Sequence, residues 1–254
     1  MSALPCRSPR PESPAVGAAP RLSVVLPAHN EEAYLEAAVG RVLAGLAERR
    51  LDAEVLVVEN GSTDRTAAVA RRVARRHRKV RVLERSRADY GAALAAGFRA
   101  ARGELVVNFD VDLVDLGFLE RALALLQEDP GLDVVIGTKR GAGADDRRGA
   151  SRRIVTGVFS LVMRLGFGLR VSDTHGVKLL RAEPLRPLVD RVGSSADLFD
   201  TELVLRAERS GLRVAELPVS VSEQRPARTA ISTRLPRTLA GLVRLRLALW
   251  RHEP

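Results

Sequence analysis

The chain has a single cysteine, Cys6, among its 254 residues. This excludes an intrachain disulfide and any cysteine-rich metal site, and it suits a reducing compartment. The four histidines are scattered and offer no metal-ligand spacing. Lysine is nearly absent: only positions 79, 139 and 178 carry it, and every other cationic residue is arginine. No apolar run is long enough to cross a bilayer, since the best candidate, IVTGVFSLVMRLGFGL at 154–169, is short and contains Arg164. The opening MSALPCRSPRPESPAVGAAP lacks the apolar stretch of a secretory signal and is rich in proline, which predicts a disordered tail over residues 1–20. Together these absences predict a protein made and kept in the cytoplasm.

What is present fits a folded domain. The hydrophobic fraction of 46% and the charged fraction of 28% are ordinary for a globular chain, and the length suits one large domain or two small ones. The formal charge of +10 has a bland explanation, the codon bias of a GC-rich genome, and a functional one, an anionic partner. Phosphates, nucleic acid and a membrane surface all fit the second.

Apolar β-type runs alternate with helical patterns. LSVVLP (22–27), EVLVVE (54–59), VRVL (80–83), ELVVNFD (104–110) and LDVVIG (132–137) are predicted strands, and their Val- and Leu-rich runs without polar alternation predict burial on both faces. Helical stretches at roughly 31–48, 64–78, 90–102 and 116–128 separate them. Such alternation implies an α/β fold with a mostly parallel sheet flanked by helices, which binds ligands beyond the carboxyl ends of its strands.

Three polar clusters fall at those ends: PAHNEE (27–32), ENGSTD (59–64) and DVD (110–112). Each has a capping explanation. Asn30 can cap a helix with Glu31 and Glu32 near its dipole; Gly61 can take positive φ while Ser62 or Thr63 caps the next helix; Asp115 suits the N-cap of LGFLERALALL. Capping does not explain two carboxylates one residue apart, Asp110 and Asp112, at the end of an apolar strand. Such a pair is costly unless a cation or a very polar ligand offsets it. Three clusters at one edge predict a shared cleft.

In order and spacing, PAHNEE, VVENGSTD and DVD resemble the PxYNEE, VVDDGSTD and DxD motifs of the family 2 glycosyltransferases, whose nucleotide-sugar-binding domain is called GT-A. GAALAAGFRAARGE (91–104) resembles the family's helix before the DxD strand. VSDTHGVKLLR (171–181) and LFDTELVLRAERSGLRVAELPVSV (198–221) resemble its DTQCGFKLF and FDxELL…EVPV segments, typical of the dolichyl-phosphate mannose and glucose synthase branch. The resemblance implies a single GT-A (Rossmann-like) catalytic domain over residues 21–225, followed by a basic amphipathic segment at 226–254. There are departures: His29 stands at the first motif's aromatic, Glu59–Asn60 at the acidic pair, Arg87 to Gly91 at NxGxG, and Val114 where mannose synthases often have Gln.

The resemblance implies an inverting, metal-dependent hexosyltransferase using a nucleotide-diphosphate sugar of the UDP-Glc or GDP-Man type. Asp112 would hold Mg²⁺ or Mn²⁺, which favour oxygen ligands and bridge carboxylates to phosphates, with Asp110 contributing to sugar-nucleotide or metal binding. Pro27, Ala28, His29, Glu31, Glu59 and Asn60 would surround the nucleoside, and Arg225 and Arg228 would cover the diphosphate. The acceptor reading stays double. For polyprenyl phosphate, already ionised at neutral pH, the resemblance implies that Lys139 with Arg152 or Arg153 binds the acceptor phosphate. For a hydroxyl on a soluble small molecule such as a natural product, Asp200 in LFDTEL would be the general base. Asp173 and Lys178 would shape the acceptor side.

The C-terminal ISTRLPRTLAGLVRLRLALWR spaces Arg237, Arg244 and Arg251 by seven, with Leu235, Leu239, Leu242, Leu249 and Trp250 opposite. This pattern fits a helix lying on the anionic inner face of a membrane and equally a helix docked on the enzyme. The basic stretch RTAAVARRVARRHRK (65–79) carries Val69, Ala70 and Val73 on an ordinary core face, and no recognised nucleic-acid module accompanies it. A noncatalytic anion- or nucleic-acid-binding protein is the remote alternative, and it predicts no dependence on Asp110 and Asp112.

Overall fold

The strands follow from runs of residues that are apolar on both faces. In the computed structural model, which describes residues 21–138, 157, 161–174, 176–193, 198–219 and 240–247, every residue of β1 (Leu22–Ala28) and β2 (Ala53–Asn60) is buried. β3 (Val80–Arg85), β4 (Leu105–Asn108) and β5 (Val134–Thr138) complete the set expected from sequence. Two more strands, β6 (Lys178–Arg181) and β7 (Val214–Pro218), were not expected. KLLR is four residues long, and VAELP is an edge strand that ends in proline, so neither has the long apolar signature of a central strand.

One seven-stranded sheet results, in the order β3-β2-β1-β4-β6-β5-β7. β1 pairs parallel with both β2 and β4, whereas β6 runs antiparallel to β4 and β5. The sheet is mostly parallel, as the alternation predicted. β1 is flanked by β2 on one side and β4 on the other, so the strand order reverses there. A crevice opens at such a point beyond the carboxyl ends of the strands.

Side chains alternate between two cores. Val24, Leu26, Val55, Val57 and Val107 face the helices α1 (Leu35–Glu48), α2 (Thr66–Arg76) and α4 (Leu116–Glu128). Val25, Leu56, Val58, Val106 and Leu180 face α3 (Tyr90–Ala100), α6 (Ala182–Arg191) and α7 (Phe199–Arg209). Each fully buried Val or Leu contributes about 1.5–3 kcal/mol relative to exposure, so these two layers supply the main stabilisation. Gly97 lets α3 approach closely: a Cβ there would lie 2.4 Å from Val25 Cγ1.

Helical residues 161–167 (α5) and 240–247 (α8) lie together. Arg246 of α8 donates to the Gly166 carbonyl at 3.0 Å, and its guanidinium stands 6.0 Å from the centre of the Phe167 ring. Leu242 and Leu245 of α8 are buried in the α3 core, and a Cβ on Gly241 would meet Leu198 at 2.5 Å. The face of the C-terminal helix that carries Leu242 therefore docks on the enzyme. Leu235, Arg237, Leu239, Leu249, Trp250 and Arg251 lie outside the described residues.

Candidate active site

The DVD segment is shaped by the end of β4. The Phe109 N–H still reaches Val25 O of β1 at 3.0 Å, after which Leu113 N–H donates to Asp110 O at 3.0 Å and closes a tight turn. Val111 is buried by this turn and Asp112 is exposed. Asp115 caps α4 by accepting the Phe118 N–H at 2.8 Å, as its place before LGFLERALALL predicted. The two carboxylates thus have different settings: Asp112 at the tip, Asp110 below it.

Asp110 Oδ1 accepts the Tyr90 hydroxyl at 2.9 Å. Burial pushes the Asp110 carboxyl above its ordinary range; the Tyr90 hydrogen bond opposes that shift, and the charges of Asp112 and Asp200 add to it, with Lys178 pulling the other way. Burial, with the nearby charges of Asp110, Asp200 and Asp112, holds the Tyr90 phenol well above its usual range, so it remains a neutral donor. A low-dielectric pocket with accumulated negative charge is what a cation relieves. Among the described residues no three carboxylate, histidine or cysteine side chains are grouped to enclose a metal. Two carboxylates that leave the remaining positions to water and phosphate oxygens still fit a hard divalent cation.

The ends of β1 and β2 are tied by side chains. Because a carbonyl only accepts, His29 Nδ1 carries the hydrogen that reaches Asn60 O at 2.8 Å; its Nε2 lies 3.3 Å from Asn30 Nδ2. Asn30, at φ 55°, does not cap α1, whose first residue is Leu35. Its Oδ1 accepts the Thr63 N–H at 2.8 Å and its own N–H donates to Ser62 Oγ at 3.0 Å. Ser62 and Thr63 therefore join the two loops instead of capping α2, and Asp64 accepts the Thr66 N–H in their place. Glu31 N–H donates to Thr66 Oγ1 at 2.7 Å. Glu59 accepts Ser62 N–H at 2.6 Å, and Asn60 Oδ1 accepts the N–H of Asp89, the N-cap of α3. Pro27, Ala28, Glu31, Glu59 and Asn60 are buried and His29 is half-buried. Together these residues make one rigid rim beside the Asp110 turn.

On the far side of Asp110, Lys178 is fully buried and donates through Nζ to Asp200 Oδ1 and to Gly176 O, both at 2.8 Å. Glu216 of β7 accepts the N–H groups of Ser172 and Asp173 and the Ser172 hydroxyl, fixing the strand of chain that leads into β6. Thr174 and Thr201 hydroxyls meet at 2.8 Å. Asp173 is buried. Lys139, Arg152, Arg153, Arg225 and Arg228 lie outside the described residues.

Sequence reasoning brought together Asp110, Asp112, Asp200 and the β1 and β2 rims but missed Tyr90 as a partner of Asp110, Glu216 as an organiser and the Lys178–Asp200 pair. One signal was available for the last. In a chain that uses arginine almost throughout, Lys178 sits where the sequence turns apolar, next to Leu179 and Leu180.

Residues 23–188 match the protein family described as Glycosyl transferase family 2. The chain is 35% identical over 218 residues to glycosyltransferase AglD of Haloferax volcanii, covering 81% of this chain but 34% of AglD, so it spans about a third of that relative. It is 31% identical over 211 residues to undecaprenyl-phosphate mannosyltransferase of Micrococcus luteus, covering 80% of this chain and 84% of that protein. In three dimensions it is similar to glucosyl-3-phosphoglycerate synthase from Mycobacterium tuberculosis, solved in complex with Mn²⁺ and UDP-glucose. The TM-score is 0.65 at 24% identity, covering 89% of this chain and 79% of that one. That likeness carries the fold, the GT-A arrangement that the motif order implied. With the motifs in register along β1, β2 and β4, and a family match that covers most of the described sheet, the chain belongs to glycosyl transferase family 2.

Proposed function

We propose that this glycosyltransferase moves a hexose, with inversion, from a UDP- or GDP-sugar to polyprenyl phosphate, using Mg²⁺ or Mn²⁺. The observation that carries the donor side is the carboxylate pair Asp110 and Asp112 beyond the carboxyl ends of the paired strands β1 and β4, with Tyr90 bonded to the inner one. A divalent cation held there would supply Lewis-acid stabilisation of the leaving diphosphate. Asp112 would be its first ligand and Asp110 its second, with the Tyr90 hydroxyl holding the Asp110 carboxylate in one orientation. Pro27, Ala28, His29, Glu31, Glu59 and Asn60 would form the nucleoside rim, and Arg225 and Arg228, which lie outside the described residues, would cover the diphosphate.

The acceptor reading is supported by the similarity to undecaprenyl-phosphate mannosyltransferase over most of that protein's length. A phosphate monoester arrives ionised, so its oxygen forms the new bond to the anomeric carbon as the bond to the diphosphate breaks, and the diphosphate leaves with the electron pair. Lys139 with Arg152 or Arg153 would hold the acceptor phosphate, and positioning dominates the rate. An apolar surface supports contact with the lipid phase. Leu161 and Leu165 of α5 and Val243 and Leu247 of α8 are about half exposed or more, with the exposed Arg164 and Arg244 on the same two helices. Such a surface suits peripheral binding to an anionic bilayer. Among the described residues no helix is long and apolar enough to cross one.

A second reading keeps the donor site and directs it at a hydroxyl of a soluble acceptor, with Asp200 as base. The likeness in fold to glucosyl-3-phosphoglycerate synthase keeps it in view. One experiment separates them: transfer of label from UDP- and GDP-hexoses to polyprenyl phosphate with Mg²⁺ or Mn²⁺. Label in the organic phase, lost in Asp112→Asn, supports the lipid reading. Metal-dependent donor hydrolysis without lipid labelling favours the soluble acceptor. Unchanged transfer in Asp112→Asn rejects the assigned metal ligand.

A further inference from the structure

Lys178, which the sequence placed on the acceptor side, carries a fully buried positive charge paired with Asp200. It is the first residue of β6, directly opposite Asn108 of β4 in the antiparallel register, two residues before Asp110. Asn108 fixes this junction twice, accepting the Lys178 N–H at 3.1 Å and donating to Gly176 O at 3.3 Å. The Lys178 side chain has no exposed surface, and that of Asp200 has 6%. An ammonium so deeply buried is normally avoided unless it is paired and hydrogen-bonded, and here it is both.

The pair belongs to the same electrostatic cluster as the metal ligands. Asp110 is influenced by Asp112, Asp200 and Lys178 together, and Tyr90 by all three aspartates. Three carboxylates and one ammonium leave a formal excess of two negative charges. Without Lys178 the excess would be three, and the nucleotide-free site would attract a lone divalent cation strongly. With it, the site is balanced by one divalent cation and no more.

From the buried Lys178–Asp200 bond and its register beside the Asp110 strand, we infer that Lys178 is a positioning residue that sets the metal affinity of the nucleotide-free donor site low. The cation is thereby retained chiefly when the diphosphate supplies further oxygen ligands, and it is released with the nucleotide product. The inference rests on the donor-site reading above and adds to it a coupling between metal and nucleotide.

The test is Mn²⁺ binding to the purified full-length chain, followed by electron paramagnetic resonance with and without UDP or GDP. Lys178→Met is expected to tighten Mn²⁺ binding without nucleotide at least about tenfold, because removing a buried unit positive charge from among these carboxylates strengthens their pull on a divalent ion. Asp200→Asn is expected to weaken it about tenfold, and the added effect of UDP or GDP should shrink in Lys178→Met. A purely structural pair would leave the affinity unchanged or reduce it in both variants, which overturns the inference. If Lys178→Met fails to fold, the double variant Lys178→Met/Asp200→Asn, which removes both buried charges, decides. Binding about tenfold weaker in Asp200→Asn that returns to within about threefold of the native chain in the double variant supports charge balance; affinity unchanged in both variants, or a tenfold or greater loss in the double variant, overturns it. A native chain that binds no Mn²⁺ even with UDP and GDP overturns the donor-site reading along with the inference.

Discussion

The Tyr90 hydroxyl donates to Asp110 Oδ1 across 2.9 Å, joining the first turn of α3 to the turn that follows β4. This contact orders a carboxylate that burial and two neighbouring aspartates would otherwise leave costly to ionise. A hydrogen bond to a charged group contributes about 1.5–3 kcal/mol. Tyr90→Phe, which keeps the ring, is therefore expected to lower kcat/KM roughly 10- to 100-fold at fixed metal, with Mn²⁺ affinity falling in step. Equal Mn²⁺ affinity in the two proteins would show that Tyr90 does not order the ligand.

Acid acts on the carboxylates of Asp110 and Glu54 in opposite senses. Burial holds the Asp110 carboxyl above its unfolded value, so its contribution to stability is full below the unfolded pKa and is lost as pH rises through the folded one. For Glu54 burial also works against ionisation, but the Arg81 guanidinium, the Arg102 N–H and the Ser23 hydroxyl outweigh it and lower the pKa. Its contribution is present above the unfolded pKa and is lost as pH falls through the folded one. At neutral pH, Asp110→Asn is expected to raise stability by on the order of 1 kcal/mol while abolishing metal-dependent activity. Glu54→Gln should lower stability, with the gap to the native protein closing in acid. Urea melts across pH 3–8 of the metal-free protein measure both.

Gly61 has φ 61°, and a Cβ there would lie 2.7 Å from the backbone of Arg87 and Ala88. Gly61→Ala meets both a backbone strain and a clash that no rotamer relieves. A loss of about 1–3 kcal/mol is expected. The β2 rim should move with it, so the KM for the sugar nucleotide should rise more than kcat falls. A thermal melt indistinguishable from the native protein's would contradict so close an approach of these two loops.

Leu165 is 81% exposed on α5 and Leu247 is 49% exposed on α8. Leu165→Asp/Leu247→Asp is expected to leave the melting temperature within about 2 °C, as exposed positions do, yet to reduce flotation with anionic liposomes several-fold. Leu245→Asp tests the other face: it is 2% exposed in the α3 core and should destabilise the protein strongly. Flotation unaffected by the exposed double substitution would remove this surface from the membrane reading.

Much of this site was visible in one dimension. PAHNEE, ENGSTD and DVD each follow an apolar run, and those runs do become β1, β2 and β4 with their polar ends at one edge. The capping roles were partly different. Asp115 caps α4 as its position implied, because capping is local and acts three residues away. Asn30, Ser62 and Thr63 instead bond to one another across more than thirty positions. Their preference for turns was legible, but their partners depended on β1 and β2 becoming neighbours.

Patterns of burial, turn residues and carboxylate spacing by themselves determined that this chain forms an α/β sheet with a polar crevice, since period, capping and charge act over a few residues. Only the tertiary structure decided that Tyr90 orders Asp110, that Glu216 holds the Ser172 loop, that Leu245 faces the core and that Lys178 pairs with Asp200. Each of those contacts is set by strand order and helix packing, where residues far apart in sequence meet in a water-poor interior that makes a hydrogen bond or a charge count far more than it does along an exposed chain.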